Sequence, residues 1–165
     1  MKTRNSPDDT NFILLQQFGK SYLSAAKVLV ARWPQTWKTE HEKPIATLLG
    51  HSLELTLKGF ISIAGMASGK GIPKTHDIHP LATNLDVTTS LGLTDDEWNA
   101  LAVLNGVYAA PFIARYPKLG LYSIPSSDAF SVLLSLAERL SSKLDNLARQ
   151  QDLNDPMVRK RLGAD

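Results

Sequence analysis

His51, Glu54 and Lys58 bring an imidazole, a carboxylate and an ammonium to the middle of the chain at helical spacing. Offsets of three, four and seven residues nearly superpose around a 3.6-residue turn, so the three side chains share one face and can converge. In that arrangement Lys58 can hold an anionic group while His51 gives or takes a proton near neutral pH. The same spacing also suits a plain solvent-facing strip, in which Glu54 pairs with Lys58 in the favourable order.

A second cluster follows a glycine-rich stretch containing Gly69 and Gly71: Lys74, His76, Asp77 and His79 in the segment KTHDIHP. Two imidazoles three residues apart, a carboxylate and His51 could ligate zinc, but no tight fingerprint such as HExxH is present and no metal is expected. The alternative is that Asp77 caps a short helix while one histidine packs beneath the loop. The glycines do not make a phosphate loop, because the GxxxxGK[ST] spacing is absent and no strand precedes them. A third group, Asn105, Tyr108, Phe112 and Arg115, shares a helical face, with Tyr116 just beyond. Arg115 can fork onto a phosphate or onto a carboxylate, and its internal candidates are Glu54 and Asp77. Polar stripes on adjoining core helices must pair or find an anion, since a lone buried charge is costly. One polar pocket holding Glu54 with Arg115 or Lys58, close to His76 and Asp77, is therefore expected.

The periodicity predicts five helices to position these groups. Asp9 or Thr10 caps the first, whose face is Leu15, Phe18, Tyr22, Ala26, Leu29 and Trp33, and which stops before Pro34. A connector over residues 34–44 leads into a second helix that takes Pro44 in its first turn and runs to about Met66. That helix is apolar around most of its circumference, with one polar stripe of Thr47, His51, Glu54, Lys58 and Ser62, so it belongs at the centre. A short third helix begins at Asp77 or His79 and reaches Leu85. Thr94 and Glu97 form a capping box that starts the fourth, which carries Leu101, Leu104, Tyr108 and Phe112 until Pro111 ends its regular bonding near Ala110. Ser126, Ser127 or Asp128 caps the fifth, with Phe130, Leu133, Leu134, Ala137, Leu140, Leu144 and Leu147 as its apolar stripe. The fold class is all-α, a five-helix up-and-down bundle over residues 10–150, with residues 1–9 as a flexible leader and 151–165 as a polar tail.

Composition agrees with one soluble core and excludes several classes. The 165 residues are 43% hydrophobic and 21% charged, near globular averages. With no cysteine there is no disulfide, no thiolate zinc site and no cysteine nucleophile. The first residues lack the order of a signal peptide, and Lys20, Lys27, Arg32, Glu54 and Lys58 interrupt every apolar stretch before it reaches membrane-spanning length, so a cytoplasmic protein without a membrane segment is expected. The net charge of +2 is too mild to announce nucleic acid, but between Asn11 and Lys74 eight bases face three acids, which suits an anionic partner.

Three segments in this order, HSLELTLKGFI at 51–61, KTHDIHPLATNL at 74–85 and ARYP at 114–117, resemble the prokaryotic HEPN family of small all-α domains over roughly Asn11 to Ala148. The resemblance implies a helical bundle, commonly a homodimer, from a group whose members serve as toxin ribonucleases, as companions of small nucleotidyltransferases, or as binding modules. The ribonuclease members carry an arginine followed four to six residues later by a histidine near the last helices. The histidines here are only His41, His51, His76 and His79, so that pair cannot form after Arg115 or Arg139. The resemblance therefore implies a non-catalytic module without a cofactor. It would bind a phosphate-bearing ligand (nucleotide or RNA) or a partner protein such as a nucleotidyltransferase, through His51, Glu54, Lys58, Lys74, His76, Asp77, Tyr108, Arg115 and Tyr116. The alternative is a toxin-type ribonuclease with a rearranged pair such as His51 and Arg115.

Overall fold

In the computed structural model, residues 12–32, 39–68, 72–84, 91–109 and 124–154 are described. They form five helices and no strand: α1 (Phe12–Arg32), α2 (Thr39–Ser68), α3 (Ile78–Thr83), α4 (Asp95–Tyr108) and α5 (Ser127–Asn154). This is the expected all-α bundle, and among the described residues no helix is long and apolar enough to cross a membrane.

The central place of α2 follows from its composition. Ile45, Ala46, Leu49, Leu53, Leu57, Phe60, Ile61 and Ile63 are all buried, and α1, α3, α4 and α5 each pack against it. Two glycines let the neighbours come close enough. A Cβ on Gly19 of α1 would sit 3.1 Å from Thr56 Oγ1, so α1 lies tightly along α2 at that point. A Cβ on Gly50 of α2 would sit 2.1 Å from the ring of Tyr108, so the ring occupies the space that any other residue would fill. From α5, Phe130, Leu133, Ala137, Leu140 and Leu144 are buried as the stripe requires.

Several boundaries differ from the sequence expectation for identifiable reasons. Pro44 is not in the first turn of α2, because the helix already begins at Thr39 and Pro44 lies inside it. The proline removes one bond, to the carbonyl of Glu40, and its ring is exposed, so the early turn survives it. On α1 the buried set is Leu15, Gly19, Leu23 and Ala26, which turns Phe18 outward to 56% exposure. The small Gly19 defines the contact face, where the size of Phe18 suggested otherwise. The third helix stops at Thr83, short of Leu85, and α5 continues four residues beyond Gln150. The capping box of Thr94 and Glu97 is present in both directions, and α4 ends at Tyr108 with Ala109 as its C-cap. Ser126 Oγ accepts from the amide of Ala129 and so opens α5. The leader at 1–9, the cap at Asp9 or Thr10, Trp33, and Pro111 with Phe112 lie outside the described residues.

A clamp absent from the sequence reading joins α4 to α5. Arg139 donates to the carbonyl of Leu91 at 2.8 Å and to both carboxylate oxygens of Glu97 at 2.8 Å, so the residue that closes the capping box also ties the helix start to α5.

Leu57 is 1% exposed whereas Leu55 is only half-buried. Leu57→Ala should therefore lower the unfolding free energy by about 2 to 5 kcal/mol. Leu55→Ala should cost clearly less. Urea unfolding of both variants checks the order, and equal costs would contradict the placement of α2.

Candidate functional site

The carboxylate of Glu54 lies at the centre of the bundle with 3% of the residue exposed. Burial of an ionised group is costly unless donors replace the lost water, and here three elements supply them. Lys58, one turn along α2, donates from Nζ to Oε1 at 2.8 Å. His76, in the segment before α3, places Nδ1 3.0 Å from Oε1 and 3.2 Å from Oε2. Tyr108, at the end of α4, is fully buried and donates its hydroxyl to Oε2. The same hydroxyl lies 2.8 Å from Nδ1 of His51, whose ring stacks on Tyr22 of α1 at 4.8 Å and meets the Tyr108 ring edge-on. His51, Tyr108, Glu54 and His76 thus form a continuous polar chain that crosses the apolar core.

The His51, Glu54 and Lys58 stripe is therefore no solvent-facing strip. Desolvation by burial pushes the Glu54 carboxyl up, but the hydrogen bonds from Lys58 and Tyr108, the Lys58 charge and the His76 bond together outweigh it. The carboxyl is held below its ordinary value of 4.5 and is ionised at neutral pH. Because a carboxylate only accepts, the proton at each contact belongs to the partner. His76 then carries hydrogen on Nδ1, and Tyr108, having given its only proton to Glu54, accepts from Nδ1–H of His51.

Local structure holds these groups in place. Gly50, one residue before His51, leaves the space that lets the Tyr108 ring lie flat on α2 with its hydroxyl between His51 and Glu54. The start of α3 is capped from outside. Asp77 occupies the N-cap position but makes no side-chain cap bond, contrary to the sequence expectation. Instead Oδ1 of Asn105, on α4, accepts from the amides of Ile78 at 2.8 Å and His79 at 3.3 Å. The chain before α3 is thereby pinned to the helix that carries Tyr108, which fixes where His76 can reach. Thr75 Oγ1 accepts from the Asp77 amide at 3.0 Å, while Oδ1 of Asp77 and Oγ of Ser52 are buried without a hydrogen-bond partner. Each such orphan costs about 1 to 3 kcal/mol.

Glu54, Lys58 and His76 thus meet as expected, joined by Tyr108, with exposed Lys74 two residues from His76 in sequence. Arg115 and Tyr116 lie outside the described residues. No group of three or more His, Asp or Glu side chains among the described residues is arranged to hold a metal ion. His79 does not join the cluster but lies against Trp98, ring centres 5.6 Å apart. The parts that sequence reasoning missed are the role of Gly50, the capping of α3 by Asn105 and the stacking of Tyr22 on His51. A glycine in mid-helix costs about 1 kcal/mol against alanine and so signals close packing. Asn105 stands one turn before Tyr108 on the same face, the only hint of its capping role.

The acidic end of the stability profile should report this centre. Unfolding returns Glu54 to its ordinary affinity for protons, so the stability it contributes is present above about pH 4.5 and is lost as pH falls towards the lower folded value. Glu97, held low by Arg139 and Thr94 against the opposing effect of burial, adds in the same direction. Glu54→Gln should cost about 2 to 4 kcal/mol at pH 7 and flatten the loss of stability as pH falls from about 5 to about 3. Urea midpoints across that range check it; an unchanged slope would show that Glu54 is not the titrating group. No protein-family model, curated protein or solved structure matches the chain.

Proposed function

We propose that this chain is a HEPN-like binding module, without catalytic activity of its own, that takes a phosphate-bearing ligand, a nucleotide or single-stranded RNA, at the mouth of the Glu54 cluster. One observation carries the reading. His76 is gripped at Nδ1 by a buried carboxylate while its side chain is 53% exposed, so an imidazole of fixed orientation is presented at the surface. A histidine used only for packing would not be held so and left so open. Lys74 stands beside it, exposed, and supplies positive charge. Lys58 does not serve an anion directly, because Glu54 already balances its charge at 2.8 Å. Its part is to keep Glu54 ionised and therefore His76 in place.

Of the eight bases between Asn11 and Lys74, Lys20, Lys27 and Lys58 are paired with acids, so the charge offered to an anionic ligand beside His76 is that of Lys74. His51 supports binding rather than ribonuclease chemistry, since its ring lies between Tyr22 and Tyr108 with Nδ1 engaged inside the bundle. In the same reading the module is cytoplasmic and homodimeric, and a nucleotidyltransferase would act as its companion rather than as the occupant of this cluster.

Fluorescence anisotropy with a labelled single-stranded RNA, and calorimetry with mononucleotides, test the proposal. The parent should bind with an affinity that falls as salt rises, and His76→Ala and Lys74→Ala should each weaken binding about tenfold. Lys74 is exposed, so Lys74→Ala should leave melting nearly unchanged, whereas His76→Ala removes a donor from buried Glu54 and should lower stability by about 1 to 3 kcal/mol, so its binding is measured well below its melting transition. Absence of saturable binding, or full binding by both variants, would overturn the reading, and cleavage of the RNA by the parent would replace it with the ribonuclease alternative.

A further inference from the structure

The start of α1 and the C-terminal part of α5 border a cavity of about 260 Å³ that shares no residue with the Glu54 cluster. Phe12, Ile13 and Ala148 supply its apolar lining. Its polar lining is organised by Asp145, whose Oδ1 accepts from Nε2 of Gln16 while Oδ2 accepts from Nζ of Lys20 at 2.6 Å, so α1 takes up both carboxylate oxygens. Arg149 completes the rim. An acid followed four residues later by an arginine ordinarily forms an ion pair along its own helix. Here Asp145 is turned to α1 instead, and among the described residues no acid pairs with Arg149. An arginine in open solvent needs no partner, but this one borders a recess with apolar walls, where an anion is partly shielded from water and an ion pair gains strength.

We propose that this cavity binds a small monocarboxylate with an apolar body, either a single aromatic ring or a branched aliphatic chain. Charge selects the head group. Lys20 and Arg149 stand against the single carboxylate of Asp145, which leaves one positive charge for a monoanion to balance. A phosphate dianion would exceed that charge and leave Phe12, Ile13 and Ala148 without a contact. The ammonium of a free amino acid would meet an Asp145 whose charge Lys20 already balances.

Geometry and size agree with that choice. The guanidinium of Arg149 takes both oxygens of a carboxylate in its fork, and Lys20 keeps donors beyond the one it gives to Asp145. Gln16 and Asp145 hold Lys20 in position, so the ligand meets a preformed polar group. The volume equals roughly eight waters, room for one organic acid of about ten non-hydrogen atoms.

Titration of the full chain with benzoate, phenylacetate and isovalerate, followed by amide-correlation NMR, tests the site. At least one acid should give saturable shifts confined to the residues lining the cavity, with a dissociation constant on the order of 0.1 to 1 mM. Benzamide keeps the shape of benzoate without its charge and should bind about tenfold more weakly. Arg149→Gln should weaken the acid about tenfold with unchanged helical circular dichroism, since position 149 is exposed. Absence of saturable binding by all three acids, equal binding of benzamide, or full binding by Arg149→Gln would each overturn the proposal. So would tighter binding of inorganic phosphate or of phenylalanine at the same residues, which would assign the cavity to phosphate or to a zwitterion. Lys74→Ala, which weakens the ligand at His76, should bind the acids as the parent does, so the two readings fail separately.

Discussion

An ionised carboxylate at the centre of an apolar bundle is the constraint on which the rest of the structure depends. Unpaired, Glu54 would cost several kcal/mol, more than a large share of the stability of a domain this size. Its donors come from α2, from the segment before α3 and from α4. Three elements distant in sequence must therefore reach one point together. Hydrophobic burial alone would tolerate small slides of helix on helix, whereas the loss of a bond to a buried charge would not.

The supports of the cluster follow from that requirement. Tyr108 reaches Glu54 only because Gly50 leaves room for its ring, and α4 is fixed at its other end by the capping box and by Arg139. Asn105 ties the start of α3 to α4, so the segment carrying His76 moves with the helix carrying Tyr108. The direction of every proton in the chain is then set by the one partner that cannot donate. Glu54 orders Tyr108, Tyr108 orders His51, and Glu54 separately orders His76, whose exposed ring is where the interior arrangement meets a ligand.

The sequence was most legible where one local signal decides the outcome. The Thr94 capping box, the stop after α4 and the α5 stripe depend on residues a few positions apart, and all three are found. Glu54, Lys58 and His76 were legible as a group because the cost of a lone buried charge requires partners, although helical spacing by itself suited a solvent-facing strip equally. What escaped was set by shape across helices. Phe18 reads as core by hydrophobicity, yet Gly19 beside it permits the closer contact, and the helix turns accordingly. The Asp77 cap was reasonable by residue type, but Asn105, twenty-eight positions later, holds the amides instead. Pro44 looked like a helix start because its rule is local, whereas α2 begins earlier.

The claim that Glu54 is the ionised hub is tested most directly by long-range nitrogen–proton correlation NMR of the histidine rings, recorded at a pH where the imidazoles are neutral. A carboxylate facing Nδ1 requires the proton on that nitrogen, so His76 should show the Nδ1–H tautomer and lose its preference for it in Glu54→Ala. His51, which must donate to Tyr108, should show the same tautomer in the parent. Finding the proton of His76 on Nε2 in the parent would contradict the account, because Glu54 would then not be holding the ring.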